Sequence, residues 1–240
     1  MKNKHIVITG ASSGFGAEMA KLFAKDGHNL TLIARRVELI KDLDLSNVLI
    51  KKVDVTNFDE FNESIKEAEE MFGPVDLLVN NAGVMQLGQM GEQSRNEYNT
   101  MIDVNIKGVI NGIETVVNKM KKRREGTIIN VSSIAGNKAF ANHAVYCGTK
   151  FAVKGITETL RQELAPFNVR VTNISPGAFA TELLGHTTNE GIVDGYEDWK
   201  NSMGKMAKPI EVAKIIKYVF DAPQELNIRE ISLHTTKQVD

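Results

Sequence analysis

The sequence predicts one α/β domain, built on a doubly wound parallel sheet of about seven strands with helices on both faces. Short β-branched runs alternate with amphipathic stretches along the 240 residues, which is typical of βαβ units. The strand candidates are continuous apolar runs, as expected where helices cover both faces of a sheet. Because no linker-like or low-complexity tract interrupts the chain, the whole span 1–240 is predicted to be a single domain.

The predicted elements follow one another in a regular order. Strands are predicted at 5–9, 29–34, 48–53, 75–80, 126–131, 169–174 and 228–233. Helices are predicted at 14–25, 37–43, 59–72, 97–122, 145–165 and 209–220. Segment 183–208 departs from this rhythm because it combines several glycines with scattered polar residues. We predict that it is a substrate-binding lid; the alternative is an irregular loop with a short helix.

The composition predicts a soluble cytoplasmic protein without metal, nucleic-acid or membrane partners. Hydrophobic residues make up 42% of the chain, enough for a sizeable core, and the net charge is −1. The basic run 119–124 is interpreted as a solvated helix end, with nucleic-acid binding as the alternative. The single cysteine, Cys147, cannot form an internal disulfide, and no apolar run is long enough to span a membrane. The stretch before the first predicted strand is too short for a signal peptide.

The first candidates for chemistry are a tyrosine and a lysine four residues apart. Tyr146 and Lys150 lie in predicted helix 145–165, where positions i and i+4 share a face. An ammonium about 4 Å from a phenol contributes roughly 4 kcal/mol at an effective dielectric near 20, or about three pKa units. The Tyr146 pKa would then fall near 7, which suits a general acid/base acting on an alcohol or carbonyl. Taken alone, the pair could equally be surface packing.

A glycine-rich turn joins the first predicted strand to the first predicted helix. Its sequence, Thr-Gly-Ala-Ser-Ser-Gly-Phe-Gly at 9–16, indicates a Rossmann-type site for a dinucleotide pyrophosphate at a helix N-terminus. A P-loop is excluded because no Lys-Ser or Lys-Thr follows the glycines. The predicted cofactor contacts in this turn are Gly10, Ser12, Ser13, Gly14, Phe15 and Gly16.

The end of the second predicted strand indicates which dinucleotide binds. NAD enzymes usually place an acid there, whereas this chain has Arg35 and Arg36 and no acid before Glu38. A charge-assisted hydrogen bond to a 2′-phosphate contributes about 1.5–3 kcal/mol, or roughly 10- to 150-fold. We therefore predict NADP(H) over NAD(H). The alternative is that both arginines are solvated residues at a helix start.

The remaining motifs follow in a familiar order. They are Asn-Asn-Ala-Gly at 80–83, Asn-Val-Ser-Ser at 130–133 and Pro-Gly at 176–177. Together with the glycine turn and the Tyr146–Lys150 pair, they make the chain resemble the short-chain dehydrogenase/reductase family from Thr9 to about Thr181. The C-terminal stretch is similar to the branch that oxidises serine, 3-hydroxy acids and related small alcohols with NADP. It lacks the Asp-Gly-Gly frequent in reductases of acyl-carrier thioesters.

This resemblance implies roles for individual residues. Tyr146 would be the general acid/base and Lys150 would hold the nicotinamide ribose. Ser133, thirteen residues before Tyr146, would bind the reacting oxygen, and Asn105 would order a relay water. The implied cofactor contacts outside the glycine turn are Arg35, Arg36, Asp54, Val55, Asn81, Ala82, Gly83, Val131, Tyr146, Lys150, Pro176, Gly177, Phe179 and Thr181. Phe15 and the pair Gly148-Thr149 depart from the residues most frequent in the family. Each motif taken singly also has a purely structural explanation.

The leading interpretation is an NADP(H)-dependent oxidoreductase acting on a small hydroxy acid, ketone or dicarbonyl. The alternatives are a non-catalytic cofactor-sensing protein, a 3-oxoacyl thioester reductase, and a cofactor-retaining epimerase or dehydratase. The family pairs subunits through the counterparts of helices 97–122 and 145–165, which implies a homotetramer or homodimer. A hydroxy acid would need a cation facing its carboxylate, and the candidates are His143, His186, Lys205, Lys208 and Arg229.

Overall fold

Seven parallel strands in the described residues form one sheet, with strand order β3-β2-β1-β4-β5-β6-β7. The computed structural model describes residues 3–239, so Met1, Lys2 and Asp240 of the predicted span 1–240 lie outside the described residues. The strands are β1 (His5–Thr9), β2 (Asn29–Ala34), β3 (Val48–Lys52), β4 (Leu77–Asn80), β5 (Thr127–Val131), β6 (Arg170–Pro176) and β7 (Glu230–Leu233). The predicted doubly wound α/β fold is confirmed.

The described residues contain eight α-helices. They are α1 (Gly14–Lys25), α2 (Glu38–Lys41), α3 (Phe58–Phe72), α4 (Arg95–Ile102), α5 (Gly108–Arg123), α6 (Ala144–Leu164), α7 (Glu190–Ser202) and α8 (Pro209–Asp221). None of the helices in residues 3–239 is long and apolar enough to cross a membrane.

Two apolar cores lie on opposite faces of the sheet. In β1, Ile6 and Ile8 belong to the core that also contains residues of α1 and α8, while Val7 belongs to the core beneath α3, α5 and α6. All three side chains are fully buried. Because both faces are covered, the strands carry apolar residues at successive positions, which explains the continuous apolar runs in the sequence.

Predicted helix 97–122 is interrupted, which the sequence pattern does not show. A π-helical turn at Asp103–Lys107 separates α4 from α5. Within this turn the buried Asn105 side chain accepts a hydrogen bond from the Val84 N–H (2.8 Å) and donates one to the Val84 carbonyl (2.9 Å). One extra residue in the turn barely changes the apolar periodicity, so the interruption leaves no signal in the hydrophobic pattern.

Segment 183–208 is more ordered than a simple loop. A short 3-10 turn, Glu182–His186, leads into α7, whose first turn is capped by Asn189 accepting the Ile192 N–H at 3.1 Å. Within this segment, α7 adds a helix that was not among the predicted ones. Its place in the chain matches the alternative expectation of a loop with a short helix, and the lid role stays a prediction.

Candidate active site

The glycine turn lies where β1 and β4 are neighbours although they are far apart in sequence. Gly10 has φ +65, and a Cβ there would lie 2.8 Å from the Cα of Ala82. The Thr9 hydroxyl oxygen accepts the N–H groups of Asn81 and Ala82, each at 3.0 Å. Asn81 in turn donates from Nδ2 to the Thr9 carbonyl at 2.9 Å. These bonds hold open a crevice at the carboxyl ends of the strands, the usual position of a dinucleotide in this architecture.

A cavity of about 440 Å³ runs from this turn to Tyr146 and Lys150. Sixteen of the predicted site residues line it: Gly10, Ser12, Ser13, Gly14, Phe15, Arg35, Arg36, Asp54, Val55, Asn81, Ala82, Gly83, Val131, Tyr146, Lys150 and Thr181. The wall also contains His186, which the sequence analysis selected only as a candidate for a substrate carboxylate, and residues that it did not select: Ile33, Ala34, Val53, Val84, Val104, Ser132, Glu182, Leu183 and Gly185. Most of these are apolar or lie in segment 183–208, so residue type alone gave no signal for them.

Six predicted residues lie outside the cavity wall: Gly16, Asn105, Ser133, Pro176, Gly177 and Phe179. Gly177 packs where a Cβ would lie 2.5 Å from the Cβ of His234. Phe179 is buried and meets Phe15 edge-on, with ring centroids 5.5 Å apart. The structure therefore places Phe179 in the core behind the turn, and its contact with a cofactor stays a prediction.

The two arginines lie at the open end of the cavity. Arg36 donates from Nη2 to the Ser13 hydroxyl and to the Glu182 carboxylate, both at 3.1 Å. Arg35 Nη1 is 3.9 Å from the Asp54 carboxylate. Both side chains are more than half exposed, so they can turn towards an incoming anion without breaking a buried contact.

Tyr146 lies at the other end of the cavity and is fully buried. Burial raises the pKa of its phenol, and a hydrogen bond with the Ser133 side chain acts in the opposite direction. The neighbouring Ser132 instead donates its hydroxyl to the Lys150 carbonyl at 2.9 Å. Ser133 is thus the serine that interacts with the phenol, and its catalytic role stays a prediction.

The pKa of Tyr146 is raised and not lowered towards 7, so the sequence-based estimate for the Tyr146–Lys150 pair is wrong. Its Nζ donates to the Val131 carbonyl at 3.1 Å and lies 5.8 Å from the centroid of the Tyr146 ring. Burial lowers the pKa of Lys150 to about 8. The estimate that placed the Tyr146 pKa near 7 left out the desolvation of both groups. Desolvation disfavours the charged form of each, the phenolate of Tyr146 and the ammonium of Lys150.

Asn105 lies beside this pair rather than in the wall. Its Nδ2 donates to the Thr149 hydroxyl at 3.1 Å, and its Oδ1 is 3.3 Å from where a Gly83 Cβ would be. The π-helical turn therefore ties α4 and α5 to α6 next to the Tyr146–Lys150 pair.

The chain's own residues fit a dinucleotide. A Cβ on Gly16 would lie 2.2 Å from the Gly10 carbonyl oxygen, so the turn is packed too closely for any side chain. The N-terminus of α1 opens directly from this turn and offers its free N–H groups to a pyrophosphate. Among residues 3–239, no cluster of His, Cys, Asp or Glu is arranged to hold a metal ion.

Comparison with known proteins agrees with this geometry. Residues 4–191 match the family model of the short chain dehydrogenases. An uncharacterized oxidoreductase of Staphylococcus saprophyticus is 42% identical, over 99% of this chain and 98% of its own length. The solved closed form of a serine dehydrogenase complexed with NADP+ superimposes with a TM-score of 0.91 at 29% identity, covering 98% of this chain and 96% of that protein.

A further solved structure shows the breadth of this similarity. It is a 3-ketoacyl-(acyl-carrier-protein) reductase of Brucella melitensis complexed with NADH, with a TM-score of 0.85 at 28% identity, and the match covers 96% of each chain. The predicted family and the likeness to the serine dehydrogenase branch are confirmed. The chain is an oxidoreductase of the short-chain dehydrogenase family.

Proposed function

We propose that the protein is an NADP(H)-dependent oxidoreductase that interconverts a small alcohol and its carbonyl compound, with Tyr146 as general acid/base. The observation that carries this proposal is that one cavity is lined by Tyr146 and Lys150 and also by Arg35 and Arg36. The same cavity thus joins a proton donor to a site for a 2′-phosphate. A bound nicotinamide supplies the hydride.

The buried phenol suits the reducing direction. Because burial raises its pKa, Tyr146 stays protonated at neutral pH and can donate its proton to a carbonyl oxygen. Ser133 stabilises the charge that develops on that oxygen, and its hydrogen bond holds the phenol in place. Lys150, with a pKa of about 8, is mostly cationic at pH 7 and favours the phenolate left after proton transfer.

Tyr146→Phe tests the chemical role. This variant keeps the ring and removes the proton, so NADPH binding should persist while kcat falls by about 10²- to 10⁴-fold. Near-normal turnover would remove Tyr146 from the mechanism. If the wild-type protein binds NADPH but reduces no ketone, hydroxyketone, dicarbonyl or keto ester, the alternative of a cofactor-sensing protein is correct instead.

The choice of NADP(H) rests on Arg35 and Arg36, and the serine dehydrogenase structure contains NADP+. The reductase with NADH shows that this fold also accepts the other cofactor. We expect kcat/KM to be higher with NADPH than with NADH, by roughly 10- to 150-fold for one charge-assisted contact. The double variant Arg35→Ala/Arg36→Ala should remove this preference. Equal values in the wild-type protein would refute it.

We also propose a homodimer or homotetramer assembled through α5 and α6. Ile110 on α5 and Phe151 on α6 are large apolar side chains with 37% and 45% of their surface exposed. Exposed apolar groups on such helices favour contact with a second copy. Light scattering after size-exclusion chromatography gives the subunit number, and a monomer at micromolar concentration would contradict the assembly.

A further inference from the structure

Beside Tyr146 lies a cluster of aromatic side chains that the proposed chemistry does not use. The His143 ring centroid is 6.2 Å from that of Tyr146 and 6.3 Å from that of Tyr196. Tyr196 belongs to α7 and meets Trp199 edge-on at 5.1 Å. Segment 183–208 therefore brings a second phenol close to the phenol that is proposed to carry the proton.

His143 is a hydrogen-bond acceptor in this cluster. Its Nδ1 lies 2.6 Å from the Ala141 carbonyl oxygen, which can only accept, so Nδ1 carries the hydrogen. Burial lowers the pKa of His143, which keeps the ring neutral at pH 7 and above. In a neutral ring with a hydrogen on Nδ1, the other nitrogen, Nε2, has a free lone pair. No hydrogen bond from residues 3–239 to this Nε2 is present, and no carboxylate of the described residues pairs with the ring.

Tyr196 contributes a hydroxyl that does not ionise. Burial raises its pKa to about 12, so the group stays a neutral donor and acceptor over the whole physiological range. The polar groups that this cluster adds beside Tyr146 are therefore uncharged: one acceptor nitrogen and one hydroxyl.

The cationic candidates for binding a carboxylate are less well placed. Arg229 is tied to Glu158 of α6 at 3.0 Å, in a separate depression lined also by Lys154 and Glu230. Lys205 and Lys208 are exposed near the end of segment 183–208. Of the five candidates, only His186 lines the cavity and only His143 contacts Tyr146.

We propose that His143 and Tyr196 form a substrate-recognition pair that selects a small carbonyl compound with a hydroxyl on the carbon next to the reacting carbonyl. The hydroxyl donates its one hydrogen to His143 Nε2 and accepts a hydrogen bond from the Tyr196 hydroxyl. A carboxylate in the same place has no hydrogen to give to Nε2 and meets its lone pair instead. This inference rests on the proposed function, because it concerns the substrate of that same site.

Three probes with the same carbon chain test it: butan-2-one, 1-hydroxybutan-2-one and 2-oxobutanoate, each with NADPH. One neutral hydrogen bond is equivalent to a preference of about 3- to 10-fold. We expect kcat/KM to rank the hydroxyketone first, and its ratio to butan-2-one to fall towards one in His143→Phe and in Tyr196→Phe. His143→Gln, which keeps an acceptor, should recover part of the ratio.

Tyr218→Phe is the matched control, because Tyr218 is 63% exposed on α8 and its substitution should leave the ratio unchanged. NADPH affinity and Tm are measured for every variant to identify any that misfolds. If His143→Phe or Tyr196→Phe misfolds, the other of the two tests the proposal. Activity with butan-2-one but an unchanged ratio in both Phe variants overturns the recognition pair while the proposed function stands. A preference for 2-oxobutanoate overturns it as well. NADPH binding without turnover of any probe overturns the proposed function and the pair with it.

Discussion

Substitution of Gly16 by alanine tests the packing on which the cofactor turn depends. The new Cβ would lie 2.2 Å from the Gly10 carbonyl oxygen and 2.9 Å from the Ala11 Cα, where ordinary contacts begin near 3.4 Å. The turn must therefore move by about 1 Å. It has little freedom to do so, because Asn81 Nδ2 donates to the Gly10 carbonyl at 3.2 Å.

Overpacking of this kind costs about 1–3 kcal/mol. For a chain of this length, that corresponds to a fall in Tm of roughly 2–12 °C. The displaced turn also moves the first N–H groups of α1 away from the pyrophosphate position, so we expect NADPH to bind at least about 10-fold more weakly. Thermal unfolding and fluorescence titration with NADPH measure the two effects.

Gly155→Ala is the matched control. Gly155 also lies inside a helix, α6, but a Cβ there would meet nothing within 4 Å. Alanine is the better helix former by about 1 kcal/mol, so Tm should rise by roughly 2–4 °C and NADPH affinity should not change. If Gly16→Ala behaves like Gly155→Ala in both assays, the close packing of the turn does not determine cofactor binding, and our reasoning about this crevice is wrong.

Three further substitutions address other parts of the molecule. Glu182→Gln frees Arg36 from its surface ion pair and should tighten NADPH binding by up to about 5-fold, which titration will show; weaker binding would contradict this. In the cofactor-free protein, burial lowers the pKa of Lys150 from its ordinary value of 10.5 to about 8, so stability should rise with pH between 8 and 10. Lys150→Met should flatten that rise in Tm, and parallel profiles would argue against a buried ammonium. Arg170→Lys should lower the free energy of unfolding in urea by about 2–4 kcal/mol with kcat unchanged, because the guanidinium alone reaches both Thr127 and the Ala222 carbonyl; an unchanged midpoint would show that lysine replaces these bonds.

The interrupted helix shows where sequence reasoning reached its limit in the fold. The strands and helices could be predicted from the spacing of apolar residues. A strand buried on both faces is a continuous apolar run, and a helix buried on one face repeats its apolar residues every three or four positions. The π-helical turn at Asp103–Lys107 depends instead on Asn105 bonding to Val84, which is 21 residues away in sequence. A contact between distant segments leaves no mark in a local pattern.

The Tyr146–Lys150 pair shows the same limit at the site. Spacing identified both residues and selected Ser133, since most of the motifs follow the carboxyl ends of parallel strands, which meet at one edge of the sheet. The direction of the pKa change depends on burial, which only the packed structure supplies. Spacing places Lys150 on the same helix face as Tyr146, but the tertiary fold turns its ammonium to the Val131 carbonyl.

By itself, the sequence determined the doubly wound fold and the glycine turn, and it predicted the cofactor-side residues, because these follow from local backbone requirements and from residue order. Only the tertiary structure decided which groups stand beside Tyr146. Tyr196 is 50 residues further along the chain in α7, and its approach to His143 depends on how segment 183–208 packs. Desolvation and contacts between distant segments arise only when the chain is folded, and for that reason they appear in the structure and not in the sequence.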